Sequence, residues 1–286
     1  MIDVLDNVKT KEIKIADHGF VRLVDCMPRL VPDGQTADSA IVQAARVSYG
    51  EGTKKVNEDR GLIRYLMRHK HTTPLEMVEF KFHCSMEMFT ARQWIRHRTA
   101  SVNEYSARYS IVPDMCYIPN KYNVRQQSAH NKQVSEGQVS EIDTETFINL
   151  IEQTSQQAYR NYQASLDSGI GREQARMFLP LNYYTQWYWK IDLHNLLHFL
   201  ALRCDSHAQQ EIRVYGDAIL ELITPIVPLT MEAWNDYHPM RNAVTFSKLE
   251  LECLKEYISP TIKSSAIDTK NKREQQEWKD KLSHLI

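Results

Sequence analysis

The stretch VEFKFHCSMEM, residues 78–88, decides the fold class of this chain. Val78, Phe80, Phe82, Cys84, Met86 and Met88 alternate with Glu79, Lys81, His83, Ser85 and Glu87. Successive side chains of a strand point to opposite faces. This unbroken alternation therefore predicts a half-buried strand in an antiparallel sheet, apolar face inward and polar face on solvent. The stretch LNYYTQWYWKI, residues 181–191, repeats the pattern: Leu181, Tyr183, Thr185, Trp187, Trp189 and Ile191 alternate with polar or amphipathic residues. Trp187, Tyr188 and Trp189 could form a stacking platform, but the alternation favours a strand with one aromatic face in the core. Residues 20–28 supply a third strand.

Helical patterns surround these strands. Asp38 is placed to cap a helix carrying Ile41, Val42, Ala45 and Val47. A short helix is predicted over 60–69, with Leu62, Tyr65 and Leu66. A long one over 144–167 carries Phe147, Leu150, Ile151, Thr154, Ala158, Tyr162 and Leu166, with Gly169 as its stop. Asp192 precedes Leu193, Leu196, Leu197 and Leu200, another capped helix. A last one runs over 208–224 and ends at Pro225. The polar stretch 120–143 reads as a long loop or insertion, and the charged tail after Pro260 as a solvated helix. Strands among long helices without βαβ alternation predict an α+β fold, an antiparallel sheet with long flanking helices. No repeat or linker divides residues 1–286. A single domain is expected, its core over about 20–225.

The 286 residues carry 35 Lys+Arg against 36 Asp+Glu, a net charge of -1. That balance argues against coating nucleic acid or an anionic membrane. No apolar run reaches a membrane span, and MIDVLDNVKT lacks the layout of a signal peptide. The five cysteines, 26, 84, 116, 204 and 253, are widely spaced and contain no CxxC. They read as reduced thiols, so the expected location is cytoplasmic. Among nine glycines, the GxG pairs Gly50/Gly52 and Gly169/Gly171 lack a third glycine at the right offset, and no GxxxxGK[ST] occurs. A Rossmann crevice or P-loop needs those glycines for close backbone approach to phosphate. A nucleotide would have to be held by side chains and helix termini.

Residues 92–109, RQWIRHRTASVNEYSARY, hold Arg92, Arg96, Arg98 and Arg108 against one acid, Glu104. If the strand at 78–88 turns into a helix, Gln93 and Arg96 share a face. The loop 99–107 is rich in short hydrogen-bonding side chains. Charge alone leaves two readings open: an exposed, salt-bridged helix end, or a concave anion site with arginine forks on phosphate.

RHRTASVNEYSARYS resembles the RHRx7S signature of the flavin-dependent thymidylate synthases, with Arg96-His97-Arg98 opening it and Ser106 closing it. HTTPLEM (71–77), ARQW (91–94), QARMFLPLNYY (174–184), LRCDSHAQQEIR (202–213) and AARVSYG (44–50) are similar to neighbouring blocks of that family, in order. The resemblance implies reductive methylation of dUMP to dTMP. The carbon comes from 5,10-methylenetetrahydrofolate, the electrons from NADPH, and FAD carries the hydride. It also implies a homotetramer with active sites shared between subunits. By position, Gln93, Arg96, Glu104, Ser106, Ala107, Arg108, Arg176 and Arg203 would hold dUMP. His71, Thr73, Arg96, His97, Arg98 and Glu104 would face FAD, with Asp192, Leu193, His194 and His198 from another subunit. Arg203 would favour ionisation of uracil N3 and enrich C5 in electrons. It sits about 20° from Leu196 on a helical wheel of about 100° per residue, on the apolar stripe.

Two other classes are weighed. His194 and His198 at i, i+4 suit a metal-dependent hydrolase, though no HExxH accompanies them and the family needs no metal. The arginines with Tyr105 and Tyr109 could bind nucleic acid, but no basic stripe continues them. No GxSxG elbow surrounds Ser106, so its hydroxyl reads as a substrate contact rather than a nucleophile.

Overall fold

The computed structural model describes residues 1–47, 59–129, 132, 134–239, 241, 243–257, 267 and 270–285. Gly50/Gly52, the end of the 44–50 block and Pro260 lie outside the described residues.

The alternating stretches form the middle of a five-stranded antiparallel sheet. Its order is β2 (Glu12–Ile15), β3 (Gly19–Met27), β5 (Glu79–Glu87), β9 (Tyr184–Asp192) and β6 (Ser101–Glu104). In register, Phe82 faces Trp189 and Cys84 faces Trp187. The tryptophans therefore belong to the core face. That face is covered by α3 (Met88–Trp94), α6 (Leu193–Arg203) and α7 (Gln210–Ile223), where Trp94 stacks on Phe199 and lies tilted to Tyr215 in the same cluster. The other face carries Lys81 and a stacked His83–Tyr188 pair. The α+β, antiparallel expectation is met.

Several local expectations are corrected. The polar face of β5 does not stay in water. Ser85 is wholly buried and donates to the His18 carbonyl, and Glu87 is 1% exposed. The β2–β3 turn closes over this end of the strand, which a period of two cannot foresee. The loop expected at 99–107 contains β6, because it lies against the free edge of β9 and pairs with it. The strand expected from Leu181 begins at Tyr184. Helix α3 ends at Trp94, so Gln93 is helical while Arg96 sits in the turn beyond it. Asp38 opens α1 (Asp38–Val47), but its carboxylate caps a different helix, α8 (Pro228–Tyr237). It accepts from the backbone N–H of Leu229 (2.9 Å) and of Thr230 (3.1 Å), and from the hydroxyls of Thr230 (2.6 Å) and Thr36 (3.0 Å).

The long helix α4 runs over Glu141–Asp167, capped by Ser140. Its buried positions are Thr144, Ser155, Tyr159 and Tyr162, while the expected Phe147 and Leu150 are exposed in the single chain. The 120–143 stretch holds a small hairpin, Gln126–Gln127 with Ser135–Glu136. The tail is not simply solvated. Its helix, Lys272–Leu285, docks on α2 (Asp59–Arg68) and α8 through Arg64–Glu274 (3.1 Å), Arg68–Glu277 (2.7 Å) and a Tyr237–Glu274 hydrogen bond, with Arg273 3.9 Å above the Tyr65 ring. Among the described residues no helix is long and apolar enough to cross a membrane.

Candidate functional site

A cavity of about 360 Å³ opens where β6, β9 and the end of β5 meet. Glu104, Ser106, Ala107 and Arg176 line it together with Tyr184 and Thr185. The sheet builds this wall. Glu104 closes β6 and Tyr105 N–H donates to the Gln186 carbonyl at 2.7 Å, so the chain leaves the sheet at Ser106. The Thr185 hydroxyl donates to Glu104 Oε1 at 2.7 Å, fixing one carboxylate oxygen and leaving the other to a ligand. Beyond it a turn forms. Tyr109 N–H donates to the Ser106 carbonyl (3.1 Å) and Arg108 N–H to Ser106 Oγ (3.3 Å). Arg176 is steadied by its Nε–H donating to the Glu173 carbonyl, 3.3 Å. The Arg108 guanidinium is 3.7 Å from Glu173, an exposed pair of little energetic weight that a phosphate can displace.

Gln93, Arg96 and Arg203 do not line this cavity. Arg203 instead meets His97, its Nε–H donating to His97 Nε2 at 3.1 Å. Nε2 must therefore carry a lone pair, and the ring proton sits on Nδ1. Burial, the Arg203 charge and nearby His198 pull the His97 imidazole down to about 4, so it is neutral near pH 7. Burial alone lowers the Arg203 guanidinium, and among the described residues no carboxylate pairs with it. A half-buried guanidinium without an acid is a poor structural element and a ready partner for an anion or carbonyl. Gln93 Oε1, on α3, is buried with no partner among the described residues. Arg96 and Arg98 are exposed and form no ion pair among the described residues.

The remaining flavin-facing expectations divide. His71 and Thr73 are exposed, Thr73 opening the 3-10 turn Thr73–Met77. Asp192 caps α6 by accepting from Asn195 N–H at 2.9 Å, and it lines a shallow recess of about 220 Å³ with Thr99, Ala100 and Ser101. That recess brings the end of the RHR motif beside the start of α6. Leu193 is wholly buried and its N–H donates to the Val78 carbonyl at 2.8 Å, so neither group is free for a ligand. His194 is half-buried and His198 exposed. Among the described residues no three His, Cys, Asp or Glu side chains converge on a point that could hold a metal ion. Arg96 and Arg98, exposed and without an acid among the described residues, have the charge to meet the pyrophosphate of a dinucleotide such as FAD.

Thr185 and Tyr184 went unnoticed in the sequence as cavity residues. The only signal was cross-strand register, which requires knowing that β6 pairs with β9.

The profile of a family described as "Thymidylate synthase complementing protein" matches residues 29–229. A flavin-dependent thymidylate synthase of Dictyostelium discoideum is 52% identical over 284 residues, covering 99% of this chain and 90% of its own. That of Rickettsia bellii is 48% identical over 272 residues, covering 91% of this chain and 89% of its own. Among solved structures, the UMP/dUMP methylase PolB of Streptomyces cacaoi, bound with 5-Br dUMP, superposes with a TM-score of 0.69 at 32% identity. It matches over 81% of this chain and all of its own.

Proposed function

The chain belongs to the flavin-dependent thymidylate synthase family, and from that membership we propose the complete reaction and the residues that carry it. It methylates dUMP at C5 of the uracil to give dTMP. The one-carbon unit comes from 5,10-methylenetetrahydrofolate and the reducing equivalents from NADPH. FAD, when bound, supplies hydride transfer between reductant and the growing methyl group.

The observation that carries this reading is the convergence of Glu104, Ser106, Ala107 and Arg176 on one cavity of nucleotide size. Arg108 and Arg176 offer guanidinium forks to the phosphate, and Ser106 with the Ala107 backbone shares it. Glu104, held by Thr185, offers its free oxygen to a ring or ribose N–H or O–H. Arg96, His97 and Arg98, with His71 and Thr73, face the flavin. Asp192, His194 and His198 would touch it from a neighbouring subunit. Arg203 stabilises negative charge as it develops on the uracil. A unit charge about 4 Å from a forming anion, at an effective dielectric near 20, contributes roughly 4 kcal/mol. The cysteines support a chemistry without a thiol nucleophile. Burial holds the Cys26 and Cys204 thiols up at about 12 and raises those of Cys84 and Cys116.

The dUMP residues fall into two groups within one chain, which supports active sites assembled between subunits of a homotetramer. Large apolar side chains stand exposed near the cavity: Tyr109, Ile111, Met177 and Leu181. Such a concentration marks a surface that another chain covers. The location is taken to be cytoplasmic, and neither nucleic acid nor membrane is assigned as a partner.

The test is spectroscopic. Purified protein should be yellow, bleach with NADPH under anaerobic conditions, and produce dTMP only when dUMP and methylenetetrahydrofolate are both present. Colourless protein that binds no added FAD would defeat the reading.

A further inference from the structure

Behind the cavity wall lies a buried polar knot that the reaction above does not use. Glu87 is the last residue of β5 and the register partner of Tyr184 on β9, so the two side chains leave the sheet side by side. Glu87 is 1% exposed, Thr90 1%, Tyr184 4% and Tyr215 0%. Among the described residues, Glu87 Oε2 and the hydroxyls of Thr90, Tyr184 and Tyr215 are all buried without a hydrogen bond of ordinary geometry. The three hydroxyls nevertheless lie close enough to the carboxyl to interact with it. Four polar groups, each lacking any other outlet, share one small interior space. A small residue on a neighbouring strand makes that possible. A Cβ on Gly19 would stand 2.4 Å from the Tyr215 hydroxyl, so only glycine lets Tyr215 reach this depth. Tyr184 is the member that opens outward. It lines the cavity, and the next residue along β9, Thr185, orients Glu104.

We propose that Glu87 is a positioning residue for the nucleotide pocket: gathering the hydroxyls of Thr90, Tyr184 and Tyr215, it fixes Tyr184 and with it the stretch of β9 backbone from which Thr185 holds the Glu104 carboxylate. The proposal rests on reading the cavity as the dUMP site. A carboxyl in this setting loses its hydration and gains only neutral hydroxyls in return. Burial accordingly raises it above the usual carboxylate range, and nearby Glu211 adds to the rise. The two oxygens of Glu87 can accept from all three hydroxyls, each of which has one O–H to donate. The ionisable groups facing it are Tyr184 on β9, Tyr215 and Glu211 on α7, and Tyr117. The three tyrosines are raised by burial and stay neutral. Glutamine keeps an acceptor oxygen in the same shape, and leucine fills the same space without a hydrogen bond.

The experiment compares wild type, Glu87→Gln and Glu87→Leu as FAD-loaded enzymes. It measures KM for dUMP, kcat, flavin reduction by NADPH and melting temperature. Glu87→Leu should raise KM for dUMP by about tenfold or more, the loss of roughly one well-formed hydrogen-bonded contact. Flavin reduction should stay within about twofold of wild type, since a group that only shapes the pocket does not touch that step. Glu87→Gln should keep KM within about threefold. A purely structural carboxyl would lower the melting temperature of Glu87→Leu and leave KM alone, and that result overturns the proposal. A glutamine variant as damaged in KM as the leucine variant also overturns it, because the neutral hydrogen-bonding group would then not suffice. If Glu87→Leu does not fold, Tyr184→Phe keeps the ring and removes only its hydroxyl. An unchanged KM in that variant defeats the proposal. Wild-type enzyme without saturable dUMP binding would defeat the pocket reading itself, independently of any variant.

Discussion

Arg203 and His97 share one 3.1 Å hydrogen bond and one half-buried site. Burial, and after it the guanidinium charge, keeps the imidazole neutral, and the imidazole lone pair is the only acceptor the guanidinium has among the described residues. Arg203→Ala should therefore lower turnover by more than about 100-fold, in line with the loss of a few kcal/mol of charge stabilisation. NADPH-driven flavin bleaching should stay near normal. Methylation at a near-normal rate in folded, yellow Arg203→Ala protein would make the residue structural. The same pair gives a pH dependence with a definite sign. Well above pH 6.5 neither folded nor unfolded chain holds a proton on His97, and the residue contributes no slope. As pH falls from 6.5 toward about 4, the unfolded chain takes up the proton while the folded one resists it, so stability falls. The loss is on the order of 2–3 kcal/mol at most. His97→Gln should flatten the drop in melting temperature across that window. Parallel curves for the two proteins would show that His97 does not titrate this way.

At the scale of elements, helix ends and ion pairs do what apolar periodicity cannot express. Asp38 ties α1 to the start of α8 with four hydrogen bonds from buried or half-buried donors. Its removal leaves N–H groups of a helix N-terminus without acceptors. Asp38→Ala should then cost about 2–4 kcal/mol, more than an ordinary exposed cap. Arg60→Ala, which breaks a pair at the surface, should cost less than about 1 kcal/mol. Denaturant titration of the two variants decides the matter, and equal losses would mean the Asp38 hydrogen bonds carry no special weight. The C-terminal helix follows the same logic. Its acidic face reads as solvated, yet Glu274 and Glu277 meet Arg64 and Arg68, whose side chains are largely buried.

At the scale of the whole molecule, the proposed homotetramer with shared active sites makes a prediction of its own. Light scattering should report a tetramer. Co-expressed Glu104→Gln and Arg203→Ala chains, each inactive alone, should recover part of the activity, because mixed assemblies contain sites with both wild-type halves. A fully active monomer, or no recovery in verified mixed assemblies, would contradict shared sites.

The division between what was legible in the chain and what was not follows from the range of each interaction. Local periodicity and short-range capping rest on neighbours in sequence. On those grounds Val78–Met88, the Trp187/Trp189 face, the Asp192 cap and the helices at 38–47 and 193–203 were readable from the residues alone. The RHRx7S motif and its flanking blocks pointed to the family for a similar reason, since each is a contiguous run. Tertiary structure alone decided what depends on contacts between distant residues. The burial of Ser85 and Glu87 needs the β2–β3 turn above them. The strand at 101–104 needs the open edge of β9. Asp38 serves α8 rather than its own helix, and the tail helix is held by charges on α2. In each case the residue's own neighbours give one answer. A partner many tens of residues away gives another, and it prevails because burial and paired charge outweigh local preference.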